Sequence, residues 1–335
     1  MNIIDVAKLA GVSVSAVSRY LNNGYLSEEK RERIARVIKD TGYRPKRSES
    51  MLRNNPTQVI GVIIPKMDME PVSRMVEGIS EALEGLKYKT IIAVTNNDPE
   101  KELEYLTVFK NAGVDGVIII PRSSSKPIAE AVTTYKKPIV VLMQNIPKAS
   151  CVLFDNYKGA YLATECLIRK GAKRIAYIGH LKSDQAAGRD RFDGFADAMK
   201  ENGLRVEPKL MCESEFTYTD ARRAVNEFLD RRAKYDAIFC GTDIIGIILM
   251  DELRKRGIAV PDDVMVASEG DLSLSRHLTP TLTSVHLFFK TAGREAANMI
   301  VDLMESDEIM PVRKKLVEVR LMERQSTNKE IKEED

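Results

Sequence analysis

The sequence predicts an α + α/β protein: a small helical head at the N-terminus, followed by a two-lobed core of doubly wound parallel sheets. Three observations carry that expectation. Residues 1–42 hold three short helical periods and no strand pattern. From residue 58 onward, short β-branched apolar runs alternate with stretches of helical periodicity. At 335 residues the chain is also too long for one compact core and suits two or three domains.

In the head, IIDVAKLA forms the first helix, with Asp5 near its start, where a negative charge suits the positive end of the helix dipole. Gly11 closes that helix. Ser13 is a natural N-cap for the second, which runs through Val17 and Leu21. Ser27 caps the third; Glu28, Glu29 and Lys30 follow, and Ile34, Val37 and Ile38 form its inner face. Helix, tight glycine-containing turn, helix is the pattern of a helix-turn-helix unit.

In the core, the strand runs are VIGVIIP (59–65), TIIAVT (90–95), DGVIIIP (115–121), PIVVLMQ (138–144), RIAYIGH (174–180), DAIFCG (236–241) and VMVAS (264–268). Near-continuous apolar runs of this length suit strands buried on both faces. SRMVEGISEALEGL and GAYLATECLIRKG repeat apolar residues at helical spacing, and Gly171 is a good C-cap for the second. The rhythm runs twice, over about 58–157 and 160–284, which predicts two similar lobes meeting at a ligand cleft. MPVRKKLVEVRLMERQS reads as one late strand and NKEIKEED as a charged tail.

Composition narrows the function. Net charge is +2, so any nucleic-acid site must come from local charge, and residues 1–55 hold eleven Lys or Arg against six Asp or Glu. Cys151, Cys166, Cys212 and Cys240 form no CxxC pair, and His180, His277 and His286 share no metal spacing with them; buried thiols and structural histidines are expected, and no metal. There is no signal-peptide pattern and no apolar run near the roughly 20 residues that span a bilayer, so a cytoplasmic protein without membrane partners is expected. P-loop, GxSxG, HExxH and GxGxxG patterns are absent, which predicts no enzyme, no catalytic residues and no cofactor.

A helix-turn-helix places its second helix in the major groove of double-stranded DNA, its N-terminal residues near base edges. The residues on that surface must be short and polar, and Val14, Ser15, Ser18 and Arg19 meet the demand. Ser15 can hydrogen-bond a base or phosphate, Val14 can touch a thymine methyl, and Arg19 can grip guanine with two bonds, a contact worth roughly 1–3 kcal/mol of discrimination.

The run IIDVAKLAGVSVSAVSRYLNN, followed by a third helix ending in GYRP, resembles the LacI/GalR family of bacterial repressors. DGVIIIP, FDNYKGAYLATECLIRKGAKRIAYIGH, RDRFDGFADAMKENGL, GIAVPDDVMV and TPTLTSV stand in the family's order, and the resemblance covers nearly all of residues 3–326. It implies a homodimeric operator-binding regulator with a helix-turn-helix head (1–45), a hinge helix (46–57), a periplasmic-binding-protein-like effector core (58–325) and a tail (326–335). The lobe near DNA would comprise about 58–158 and 286–318, the distal lobe about 159–285 and 319–325. The implied DNA contacts are Ser13, Val14, Ser15, Ser18, Arg19, Asn22, Tyr43, Lys46, Arg47 and Leu52, the last as a minor-groove wedge. The hinge departs from the family at Lys46, Glu49 and Ser50, and Glu49 needs a partner such as Arg47 or Arg53 beside phosphate.

The resemblance also implies a small carbohydrate effector, held by Ser73, Gln144, Arg191, Phe216, Thr242, Asp243, Asp271 and Phe289. Arg191 matches an arginine that grips sugar hydroxyls, and a guanidinium fork suits hydroxyl pairs, carboxylates or phosphates. Phe216 matches a stacking aromatic. Where the family has Gly-aromatic-Asp at a strand end, this chain has ASEGD, with Gly270 at the usual aspartate and Asp271 one place later; "GD…LTP.LT.VH" is similar to the sucrose-operon repressors of Gram-positive bacteria. Gln144 likewise stands where many relatives have aspartate. Fewer acids beside a retained Arg191 lead us to expect tolerance of a phosphorylated or otherwise anionic ligand. Two other readings stay open: a catabolite-type regulator working with a phosphocarrier protein, and a solute-binding transport protein, which would need a signal peptide and no DNA-binding head.

Overall fold

The computed structural model describes residues 3–13, 16–17, 20, 26–41, 57–180, 182–215, 217–305 and 311–328. The chain divides into two compact units, Met1–Pro56 and Thr57–Asp335. In the first, helices α1 (Ile3–Ala10) and α2 (Glu28–Thr41) pack Val6, Ala7, Ala10 and Ile34 around Ala16 and Val17 of the helical turn between them. Val37 and Ile38 pack against that small core, as their spacing predicts. Gly11 ends α1 at φ +60°, a left-handed turn that a side chain would strain.

The second unit contains two six-stranded sheets. The first has the order β11-β5-β4-β3-β1-β2, with β1 Val59–Ile64, β2 Lys89–Val94, β3 Gly116–Ile119, β4 Ile139–Leu142, β5 Ser150–Phe154 and β11 Lys314–Val317, all parallel. Alternate side chains of these strands enter two different cores. Ile60, Val62, Ile118 and Val140 meet helices α3 (Glu70–Gly85) and α10 (Phe289–Glu305), while Ile63, Val117, Ile119 and Val141 meet α4 (Pro99–Ala112) and α5 (Lys126–Thr133). Burial on both faces is why the inner strands run apolar without alternation; β2 at the sheet edge corrects the expectation for TIIAVT, since its Ile91 and Ile92 are exposed.

The second sheet has the order β12-β10-β9-β8-β6-β7, with β6 Ile175–His180, β7 Met211–Ser214, β8 Ala237–Cys240, β9 Met265–Gly270, β10 Thr283–Leu287 and β12 Val319–Met322. It is parallel except for the β10–β12 pair. Ile175, Tyr177, Phe239 and Ala267 face α6 (Asn156–Arg169) and α7 (Arg191–Glu201); Ile178, Ile238 and Val266 face α8 (Tyr218–Asp230) and α9 (Asp243–Lys255). All four cysteines are buried and unpaired.

The chain passes between the lobes at Asp155, Phe288 and Glu318. What reads as one late strand over 310–326 is two strands with Glu318 between them, β11 in the first sheet and β12 in the second, so Glu318 falls where the implied lobe bounds divide the segment at 318 and 319. An apolar run does not reveal a change of sheet, because both halves have the same strand composition. The expected core boundary at 325 is also corrected. Ser326 and Thr327 are fully buried; Ser326 Oγ donates to the Val266 carbonyl at 2.6 Å and accepts from the Thr283 amide at 2.8 Å.

Candidate DNA-binding head and effector cleft

At the start of the head's second helix, the Ala16 amide donates to Ser13 Oγ at 3.3 Å, and the Val17 amide to the Ser13 carbonyl at 3.2 Å. Ser13 therefore caps that helix, satisfying amides that have no partner in the helix itself. The other expected DNA contacts, Val14, Ser15, Ser18, Arg19, Asn22, Tyr43, Lys46, Arg47 and Leu52, lie outside the described residues, as does Phe216.

In the core, the carboxyl ends of the parallel strands of both sheets face the junction of the lobes, where open α/β sheets place ligand groups. Arg191, in the first turn of α7, is 4% exposed. Its Nε and Nη2 donate to Asn156 Oδ1 at 2.9 and 2.8 Å, Nη1 donates to the Gly241 carbonyl, and Nε lies 3.2 Å from Glu269 Oε1. Asn156 opens α6 beside the crossover at Asp155, Gly241 directly follows β8 and Glu269 lies near the end of β9. Three elements thus converge on one guanidinium.

Two sets of bonds tie the lobes together. On one rim, Gln144, following β4, donates from Nε2 to Asp184 Oδ2 at 3.0 Å; both residues are buried. On the other, Glu70 at the head of α3 accepts from the Ser273 amide at 2.9 Å and from its hydroxyl at 2.8 Å. Arg74 supports that contact, donating to Ser273 Oγ at 3.0 Å while pairing with Glu70 at 2.7 Å.

The remaining expected effector residues lie in different surroundings. Asp243 is buried and accepts from Ser268 Oγ (2.6 Å), Ser284 Oγ (2.5 Å), Ser275 Oγ (2.5 Å) and the Leu272 amide (2.7 Å). Asp271 is buried among Arg276, His286 and Arg324. Both carboxylates are occupied by the protein. Thr242 is half-buried at the N-cap of α9 without a capping bond. Phe289 is core, edge-on to Phe154 with ring centroids 5.4 Å apart, and Ser73 is exposed, its hydroxyl donating to the Glu70 carbonyl at 3.0 Å. His180 is buried; burial first, and then the Arg191 charge, hold its imidazole down at about 3, so it is neutral. Sequence reasoning missed Asn156, Asp184, Glu269 and Glu70. Asn156 and Glu269 lay inside the quoted phrases FDNYKG and ASEGD, but nothing local distinguished them.

A helix-turn-helix head followed by two hinged α/β lobes that meet at a polar cleft defines a ligand-responsive DNA-binding regulator. Residues 2–46 match the lacI family of bacterial regulatory proteins, and residues 164–327 match the periplasmic binding protein-like domain. The chain is 31% identical to the HTH-type transcriptional regulator RegA of Clostridium saccharobutylicum, over 97% of this chain and 99% of that one. It is 27% identical to the sucrose operon repressor of Staphylococcus xylosus, over 92% of this chain and 95% of that one. A solved CelR–cellobiose complex superposes with a TM-score of 0.73 at 28% identity, covering 97% and 99% of the two chains. The chain belongs to the lacI family of bacterial transcriptional regulators.

Proposed function

We propose that this regulator is a cytoplasmic, homodimeric repressor of a carbohydrate-utilisation operon. It binds double-stranded operator DNA through its head and a small carbohydrate through the cleft, and it carries out no catalysis. The observation that carries the effector reading is Arg191, a buried guanidinium positioned by α6, α7 and β8 where the two lobes meet. A sugar-bound relative of the same two-lobed form supports the ligand class. Effector and operator each favour one lobe arrangement, and linkage requires each to change the other's affinity by the same factor.

The test is a thermal-shift panel on the full chain with sucrose, fructose, glucose, galactosides, trehalose, maltose, cellobiose and sugar phosphates. A ligand at a hundredfold excess over Kd adds about 2.7 kcal/mol of stability. One clear positive that also shifts operator affinity in a gel-shift assay establishes the reading. Silence across the panel sinks it and turns attention to a protein co-regulator.

A further inference from the structure

We propose that Glu269 sets the charge of the effector site: when ionised, its carboxylate balances Arg191, so the cleft receives an uncharged polyhydroxylated ligand and turns anions away; when protonated, it leaves Arg191 open to an anion. This inference rests on the cleft being the effector site, and it reverses the expectation of an anionic ligand drawn from the loss of acids around Arg191.

An arginine guanidinium such as that of Arg191 is a permanent cation. The atoms that accept its hydrogen bonds, Asn156 Oδ1 and the Gly241 carbonyl, are neutral. A buried charge with only neutral acceptors is costly without a counter-ion. Glu269 Oε1, at 3.2 Å from Nε, supplies one. Glu269 is 1% exposed and neither of its oxygens accepts a hydrogen bond, so Arg191 is the cation paired with it. The packing holds it there: a Cβ added at Gly159 of α6 would sit 3.0 Å from the Glu269 carboxyl.

The groups around Glu269 do not provide a substitute. Asp243, at the start of α9, is engaged by three serine hydroxyls and an amide. Asp155, at the N-cap of α6, accepts from the Lys158 amide at 3.0 Å. Asp184 is bound to Gln144 and to the Ala187 amide. The buried Tyr177 hydroxyl on β6 is held protonated, chiefly by burial. Burial likewise pushes the Glu269 carboxyl up to about 8, against the pull of Arg191, so it is ionised at pH 9 and largely protonated by pH 6. His180 stays neutral above its low midpoint and adds no charge of its own.

The test uses sulfate, whose charge is constant between about pH 6 and 9, titrated into the full chain by thermal shift against sodium chloride at matched ionic strength. Wild type at pH 9 should show no saturable sulfate response. Glu269→Gln keeps the shape and removes the charge. It should bind sulfate at least tenfold more tightly, the order that one unit charge a few ångströms away supplies, and Arg191→Gln on that background should abolish the gain. Wild-type sulfate affinity should rise as pH falls from 9 to 6, while Glu269→Gln gives a flat profile. Saturable, Arg191-dependent sulfate binding by wild type at pH 9, or no gain in Glu269→Gln, overturns the proposal. If that variant does not fold, the wild-type series decides, and a flat profile overturns it. No sugar is needed, so a silent sugar panel leaves this result standing, and a failed sulfate test leaves a sugar response standing.

Discussion

Asp271 shows how much one side chain can hold. Burial alone would raise its carboxyl, but hydrogen bonds from His286 (2.8 Å), Arg276 (2.6 Å) and Arg324 hold it well below the ordinary carboxylate range. The native state therefore binds its proton less readily than the unfolded chain. The stability this confers is present above the unfolded carboxylate pKa and is lost as pH falls below it. Asp271→Asn should cost stability at neutral pH, at the lower end of the roughly 3–5 kcal/mol seen when one partner of a buried ion pair is removed. In urea melts the gap to wild type should close below about pH 4; a gap of constant size would contradict the assignment. From sequence, Asp271 read as an effector contact. Arg324 lies 53 residues further along the chain, and only the antiparallel pairing of β12 with β10 brings it there.

Among the elements, the crossing of α3 and α10 is the tightest contact in the first lobe. A Cβ at Gly78 would lie 2.0 Å from the Lys290 carbonyl oxygen, and one at Gly293 the same distance from that of Met75. Two backbones at this separation cannot accept a methyl group without sliding apart. Gly293→Ala should lose at least about 1–3 kcal/mol, the usual range for overpacking, and its Tm should fall by several degrees. Gly85→Ala, at the end of the same α3 with open space around it, should hold or raise Tm. Equal effects at the two sites would refute the contact. The elements that were read lie where helices and strands form, and Ser13 caps as its type and position predict; β5, β7 and β10 were not read as strands. The strand pattern alone did not show the break at Glu318, since strand composition carries no record of which sheet a strand joins; the lobe bounds at 318 and 319 came only from the family resemblance.

Across the whole molecule, the lobes are held by the chain crossings on one side and by the rim bonds of Glu70 and Gln144. The doubly wound lobes were legible because burial on both faces imposes a distinctive sequence pattern. The rim bonds were not, because each joins residues from separate lobes. Glu70→Ala removes the acceptor for two Ser273 donors, each bond worth about 0.5–1.5 kcal/mol. Spin labels placed one on each lobe should then show an added long-distance population without ligand, and the four buried native thiols leave introduced surface cysteines as the labelling sites. An unchanged distance distribution would show that the rim bond does not hold the lobes.

The three passages at Asp155, Phe288 and Glu318 also decide how the core would survive a cut. Neither lobe is a continuous stretch of chain. The first sheet needs β11 from near the C-terminus, and the second needs β12, which follows β11 in the chain. A protease that nicks any one passage leaves two others intact, so the nicked core should still elute as one particle and separate into fragments only in denaturant. For the same reason neither lobe can be expressed by ending the chain early: a truncation before residue 314 removes an edge strand from both sheets at once.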